Sequence, residues 1–158
     1  MPCLRVYLVH HGDAVGPEVD LQRPLSAAGR AGAERVAAEA AARGAKPAAV
    51  WHSGKLRAKQ TAEIFWRVCN ALAGCSAVRD LQPGDPPEWI RDTLGHEPRD
   101  VLIVGHFPHL PGLLALMLGE GHGAAAGFPL HGVVALRTDD DGTNWTEEWR
   151  IAAADVRM

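Results

Sequence analysis

Cysteine is scarce in this chain, and so are long apolar runs. The only cysteines are Cys3, Cys69 and Cys75, an odd number without a C-x-x-C pair, which excludes a disulfide framework and indicates free thiols. No segment approaches about 18 uninterrupted apolar residues, and the apolar run near the amino terminus is too short for a signal peptide. We therefore expect a cytoplasmic protein without a membrane partner.

An excess of basic residues is also absent. The chain has 16 Lys and Arg against 19 Asp and Glu, a formal net charge of −3, whereas a nucleic-acid-binding protein normally carries a basic face. A phosphorylated substrate stays open, because a local cluster of cations can form on an acidic protein. The length of 158 residues, with 47% hydrophobic residues and no repeat or linker, predicts a single soluble domain over residues 1–158.

Strand-like and helix-like segments alternate along most of the chain. Strands are predicted where short apolar runs occur, at residues 4–9, 48–51, near 78, 101–104, 133–136 and 145–151. Helices are predicted at residues 27–43, 56–72, 89–94 and 111–118. Ser26 is the candidate N-cap of the first helix and Gly44 the residue that follows its end. A small-residue loop over 119–127 precedes the last two strands, and an aspartate-rich turn at 139–142 joins them. The sequence thus predicts an α/β fold, with a mostly parallel sheet and an antiparallel C-terminal hairpin.

Unusual polar residues follow three of the predicted strands. The first strand ends in His10 and His11, the second is followed by Arg57 one turn into the next helix, and the fourth ends at His106. Ligands of such sheets bind outside the carboxyl ends of the strands. The pattern therefore predicts a site at that edge of the sheet.

Each of these residues taken alone has a simpler interpretation. A single histidine in a loop is usually a surface or structural residue, and Arg57 on a helix is by default a solvated cation. His10, His11 and His106 together would also be compatible with a metal site. The prediction of a phosphoryl site rests on the convergence of the three strand ends.

Four segments resemble motifs of the histidine phosphatase superfamily, in its SixA-like phosphohistidine phosphatase branch. Residues 9–14 (VHHGDA) resemble the R-H-G-D-A signature, and residues 20–29 (DLQRPLSAAG) are similar to D-x-x-R-P-L-[ST]-x-x-G. Residues 53–62 (SGKLRAKQTA) resemble S-P-x-x-R-A-x-Q-T-A, and residues 104–108 (VGHFP) resemble V-G-H-x-P. All four occur in the order and spacing of that family.

The resemblance implies a three-layer α/β/α fold of the phosphoglycerate mutase type and a phosphatase that needs neither metal nor cofactor. His11 would be the nucleophile that forms a phosphohistidine intermediate, and Arg57 and His106 would bind and polarise the phosphoryl group, with His10 beside them. The substrate would be phosphohistidine in a protein. The alternatives are a small phosphate ester, or a catalytically weakened phosphoryl-binding domain.

The chain departs from the family pattern at two points. His10 stands where the family has arginine, and losing a charge-assisted hydrogen bond costs about 1.5–3 kcal/mol. A protonated His10, Arg5, Arg23 or Lys55 would be the candidate replacements for that charge. The glutamate that many relatives use as a general acid is also missing, which leaves Asp85 as the candidate proton donor and favours an N–P bond substrate over an alkyl ester.

Overall fold

A computed structural model describes residues 3–119, 127–140 and 142–156, in which strands and α-helices alternate as far as the last two strands. The strands are β1 (Leu4–His10), β2 (Ala49–His52), β3 (Gly74–Ala77), β4 (Val101–Gly105), β5 (Val133–Thr138) and β6 (Thr146–Ile151). The helices are α1 (Ala27–Ala42), α2 (Leu56–Cys69), α3 (Pro87–Leu94) and α4 (His109–Leu118), and a short 3₁₀ helix covers Ala153–Asp155.

The strands form one sheet in the order β3-β2-β4-β1-β5-β6. The four strands from β3 to β1 run parallel, whereas β5 and β6 are antiparallel additions at the edge. The α/β fold with a mostly parallel sheet and a C-terminal hairpin is therefore confirmed. Because β4 lies between β1 and β2, the carboxyl ends of these three strands are neighbours.

Two helical layers cover the two faces of the sheet. Alternate residues of β1 point to opposite faces, as in any strand: Tyr7 and Val9 pack in the core beneath α1 and α2, and Val6 and Leu8 in the core beneath α3 and α4. The three-layer α/β/α arrangement is thus confirmed. Within the described ranges, no helix is long and apolar enough to cross a membrane, and all three cysteines are free thiols.

Most differences from the predicted elements are shifts of a few residues at their ends. The second helix ends at Cys69 instead of residue 72. Asn70 leaves the helix, and its side-chain amide donates to the carbonyl of Pro47 at 2.9 Å. The last helix begins two residues earlier than predicted, at His109. Most of the predicted loop over 119–127, and Asp141 in the predicted turn, lie outside the described residues.

The loop after β1 lies directly against the start of α1. Ser26 caps this helix by accepting from the Gly29 N–H at 2.9 Å, and its hydroxyl donates to the Asp13 carboxylate at 2.8 Å. A Cβ atom at Gly29 would overlap the carbonyl oxygen of Asp13. Glycine at this position therefore permits the close approach of loop and helix on which the position of His11 depends.

We predict opposite effects for two glycine-to-alanine substitutions in α1. Gly29→Ala should destabilise the protein by about 1–3 kcal/mol, the usual cost of overpacking, because the methyl group meets backbone atoms. Gly32→Ala is the matched control: its Cβ would find its nearest neighbour at 3.8 Å, so alanine should stabilise the helix by about 0.5–1 kcal/mol. Urea unfolding measures both, and equal changes in the two variants would contradict the proposed contact.

Candidate active site

The ends of β1, β2 and β4 place three polar segments side by side. His10 is paired in register with Gly105, and His52 with Val104, so the residues that follow each strand meet at one edge of the sheet. The His11 ring lies 5.1 Å from the His106 ring, measured between centroids. The structure thus brings together the side chains that the three strand ends contribute.

His11 is held with one ring nitrogen free. Its Nδ1 lies 2.7 Å from the carbonyl oxygen of Gly12. Because a carbonyl only accepts, Nδ1 carries the hydrogen, and the neutral ring keeps its lone pair on Nε2. Burial lowers the pKa of His11 to about 4, and the nearby Arg57 cation acts in the same direction against the opposing effect of the Gly12 carbonyl. At neutral pH His11 is therefore uncharged and has a nucleophilic nitrogen.

Gly12 is fixed from two sides. Its N–H donates to the hydroxyl of Thr61 at 3.0 Å, and that hydroxyl donates to the Arg57 carbonyl at 2.8 Å. A Cβ atom at position 12 would lie 2.9 Å from the carbonyl oxygen of Gly29, closer than real Cβ atoms approach. The glycine and threonine of the two motifs thus act together to fix the carbonyl that orients His11.

Arg57 lies in the first turn of α2 with its guanidinium partly buried. Its Nε is buried and has no hydrogen-bond partner in the part of the protein that the structure describes. Burial lowers the pKa of Arg57, and the neighbouring Arg23 cation lowers it further. Arg57 in turn lowers the pKa of both His11 and His106, which places its charge within electrostatic range of the two rings.

His106 is 2% exposed and is bonded on one side only. Its Nε2 lies 2.7 Å from the Ser53 hydroxyl, which also accepts from the Lys55 N–H at 3.3 Å. Its Nδ1 has no partner among the described residues. Burial lowers the pKa of His106 to about 3, with His11 and Arg57 adding to the effect, so this ring is also neutral at pH 7. Ser53 lies in the third of the four motifs, but no role was predicted for it.

His10 is a buried, stacked ring rather than an exposed cation. It is 6% exposed and packs between the rings of Phe107 and His131, with centroids 4.0 and 4.9 Å away. Its Nδ1 accepts the backbone N–H of His131 at 2.9 Å, so the hydrogen of the neutral ring is on Nε2. Burial, with the neighbouring His11, lowers the pKa of His10 to about 3. A protonated His10 therefore does not replace the family's arginine in the unliganded protein.

Of the other candidate replacements for that arginine, one lies away from the site and two lie near it. Arg5 lies at the beginning of β1 and forms an ion pair with Glu148 at 2.7 Å, away from the site. Arg23, whose Nε donates to the Val15 carbonyl at 3.0 Å, is close enough to lower the pKa of His11. Lys55 likewise lowers the pKa of His106. Arg23 and Lys55 thus contribute positive potential around the site.

His131 is a site residue that the sequence analysis missed. Its Nδ1 lies 2.7 Å from the carbonyl oxygen of His11, while its backbone N–H donates to His10. It holds both histidines of the first motif and does so with a positive φ of 53°, unusual for a residue other than glycine. No local pattern marks it, because its position depends on β5 lying beside β1.

The histidines that could hold a metal are not the set considered in the sequence analysis. One ring nitrogen from each of His10, His11 and His131 lies within 4.8 Å of the others, whereas the predicted set contained His106. The Nδ1 atoms of all three rings already bond to backbone groups. Since Nε2 of His10 carries the hydrogen, a metal held by all three rings would require this hydrogen-bond pattern to change.

Asp85 is connected to these rings through intervening residues. Its carboxylate accepts the Gln82 N–H at 3.0 Å, and the Gln82 side chain donates to the Ser53 carbonyl at 2.7 Å. Asp85 also raises the pKa of His109, which burial lowers. Its link to His106 is therefore indirect, through Gln82 and Ser53.

Nitrogen-15 NMR of histidine-labelled protein tests these tautomers. At about pH 6.5 we expect His11 with its hydrogen on Nδ1 and His10 with its hydrogen on Nε2, because one faces a carbonyl and the other an N–H. Acidification to about pH 5.5 should leave both rings neutral, since burial lowers their pKa values to about 4 and about 3. Free N-acetylhistidine in the same buffer should gain its proton over this range. A cationic spectrum for His11 at pH 6.5 would contradict this description.

The similarity of this chain to known proteins lies in its structure. No protein-family profile matches the chain, and no functionally curated protein matches it in sequence. Solved structures do. The protein assigned as phosphohistidine phosphatase SixA from Agrobacterium tumefaciens is 29% identical, with a TM-score of 0.78, covering 94% of this chain and 97% of that one.

Two further structures extend this similarity. The protein histidine phosphatase SixA complexed with tungstate has a TM-score of 0.84 at 24% identity, covering 96% of this chain and 99% of the other. A mycobacterial glucosyl-3-phosphoglycerate phosphatase has a TM-score of 0.67 at 16% identity, covering 93% and 98%. At these identities the two structures show the fold, and it is the Agrobacterium phosphatase, at 29% identity, that supports a hydrolase of the phosphatase class. In fold and over nearly its whole length, the chain resembles the histidine phosphatase superfamily, with SixA phosphohistidine phosphatases among its structural relatives.

Proposed function

We propose that the protein is a phosphatase in which Nε2 of His11 attacks phosphorus. The observation that carries the proposal is the neutral His11, with Nε2 free, near two buried nitrogens that lack a hydrogen-bond partner among the described residues: Nε of Arg57 and Nδ1 of His106. A buried polar group without a partner costs roughly 1–3 kcal/mol. Two such groups around one nucleophilic nitrogen fit a site built to bind an oxyanion.

The reaction has two steps. In the first, the Nε2 lone pair forms a bond to phosphorus while the bond to the leaving group breaks, and a phosphohistidine results. In the second, water attacks phosphorus, the N–P bond breaks, and inorganic phosphate leaves with His11 restored. Charge develops on the three outer oxygens of the phosphoryl group, where the planar guanidinium of Arg57 binds two of them as a fork.

Ser53 sets the hydrogen of His106 for this task. In the tautomer that we propose, the Ser53 hydroxyl donates to Nε2 of His106 while its oxygen accepts from the Lys55 N–H. The neutral His106 ring then carries its hydrogen on Nδ1, the nitrogen that has no partner among the described residues. His106 thus contributes a neutral hydrogen-bond donor that burial prevents from being cationic.

His10 contributes in a similar way. Because its Nδ1 is occupied by the His131 N–H, its remaining hydrogen is on Nε2 and is available to a phosphoryl oxygen. A neutral hydrogen bond contributes about 0.5–1.5 kcal/mol, less than the 1.5–3 kcal/mol of a charged donor. Part of the missing charge is supplied by Arg23, whose cation acts on His11, and by Lys55, whose cation acts on His106.

The substrate we propose is phosphohistidine in a protein. Departure of an imidazole needs less help from an acid than departure of an alkoxide, and the candidate acid Asp85 reaches the rings only through Gln82 and Ser53. The assignment of the Agrobacterium relative as a phosphohistidine phosphatase agrees with this choice. We further propose that residues 1–158 form a single domain. The site takes residues from β1, α2 and the end of β4, and His131 just before β5 also contributes to it.

Substitution of the nucleophile gives the first test. His11→Ala should reduce hydrolysis of phosphoimidazole and of a phosphohistidine protein to background and should abolish the acid-labile phosphoenzyme, because no lone pair remains to attack. The exposed His96→Ala is the control and should retain both. A chelator should change neither the parent nor the control. Phosphoenzyme formation by His11→Ala at the parent's rate would contradict the assignment.

The oxyanion donors are tested by the binding of vanadate. Arg57→Ala and His106→Ala should each weaken vanadate binding and lower kcat by at least about tenfold, in line with the removal of oxyanion donors elsewhere. Arg67→Ala, an exposed arginine in the last turn of the same helix α2, is the control for loss of a positive charge. Inhibition of phosphoimidazole hydrolysis measures vanadate affinity. Parental affinity in both site variants would exclude this pocket.

A further inference from the structure

A shallow cavity of about 390 Å³ adjoins the candidate active site. The loop after β1 and the start of α2 line it, through Leu21, Gln22, Lys55, Leu56, Arg57 and Lys59. Arg57 belongs to both places, so a molecule in the cavity lies next to the group bound at His11. The reaction proposed above makes no use of Leu21, Gln22 or Lys59.

The cavity is lined by cations without paired anions. Lys55, Arg57 and Lys59 form no ion pair within the ranges that the structure describes, whereas arginines elsewhere on the surface do, for example Arg43 with Glu39 at 3.0 Å. None of the described residues that line this cavity carries a carboxylate. The adjacent Asp20 directs an oxygen to the Gln22 N–H at 2.9 Å. In a chain with a net charge of −3, this local concentration of positive charge favours an anionic ligand.

Exposed apolar side chains lie on the loop that contributes Leu21 to this cavity. Leu21 is 87% exposed and Val19, on the same loop, is 72% exposed. Apolar groups next to unpaired cations are typical of protein interfaces, in which an apolar centre is surrounded by a charged rim. A small polyanion would use the cations but would gain nothing from Leu21 and Val19.

We propose that this surface, consisting of Val19, Leu21, Lys55 and Lys59, docks an acidic segment of the phosphorylated protein substrate. Carboxylates of that segment face Lys55 and Lys59, and an apolar side chain covers Leu21, while the phosphohistidine enters beside Arg57. The inference rests on the proposed function and adds to it a preference for substrates with acidic and apolar residues near the phosphohistidine. Exposed charges of this kind act mainly on the rate of association and lose their effect at high salt.

The test compares two synthetic phosphohistidine peptides, one flanked by Glu and Leu and the other by Lys and Gly, with phosphoimidazole. Lys59→Glu and Leu21→Ser should each lower kcat/KM for the acidic peptide, with a loss of about tenfold for the charge reversal. Both should leave phosphoimidazole hydrolysis unchanged. Lys46→Glu, an exposed lysine that does not line the cavity, is the matched control and should act as the parent. For the parent, the preference for the acidic peptide should decline at high salt.

Fluorescence anisotropy of the unphosphorylated acidic peptide separates docking from catalysis. Weaker binding by Lys59→Glu and Leu21→Ser supports the docking surface even if no substrate is hydrolysed. Lack of hydrolysis would overturn only the proposed function. Unchanged binding and unchanged kcat/KM in both variants would overturn the docking surface while phosphoimidazole hydrolysis kept the phosphatase assignment intact. Lys59-dependent binding of inorganic tripolyphosphate, without binding of the peptide, would also overturn it in favour of a site for small polyanions.

Discussion

The hydrogen bond between Nδ1 of His11 and the carbonyl of Gly12 is the interaction on which the site depends. It fixes the tautomer, so that the lone pair of the neutral ring lies on Nε2. The carbonyl keeps its place because Thr61 holds the Gly12 N–H and because Gly29 lets α1 approach the loop. Three segments that are far apart in the chain thus orient Nε2 of His11. This explains why a single glycine in a helix, Gly29, affects the chemistry of the site.

Burial decides the charge state of the site. The Gly12 carbonyl favours a protonated His11, but desolvation and the nearby Arg57 outweigh it and lower the pKa to about 4. The rings of His10 and His106 are subject to the same desolvation. The positive potential of the site therefore comes from arginine and lysine side chains at its edge, while His10, His11 and His106 stay neutral. A neutral nucleophile under a positive potential suits attack on a dianionic phosphoryl group.

The parts of the structure that follow from local sequence were predictable. Ser26 as an N-cap, the buried strands and the residues at their carboxyl ends need only neighbours in the chain, and the motifs placed Arg57 and His106 near His11. The role of His131 was not predictable, because it requires β5 to pair with β1 across more than a hundred residues of chain. For the same reason the stacking of His10 between two rings was missed, since Phe107 and His131 come from different elements.

The histidine at position 10 is best understood together with His131. Its ring accepts the His131 N–H and stacks on the rings of Phe107 and His131, and none of these contacts offers a carboxylate to balance a charge. A guanidinium in this buried place would lose the acceptor for the His131 N–H and would need an anion beside it, which here only the substrate would supply. Histidine satisfies the backbone group at all times and keeps one donor, which the proposed function assigns to the phosphoryl oxygen. Under that proposal, a strong, charged contact made only with substrate is replaced by a weaker donor whose surroundings are satisfied without it.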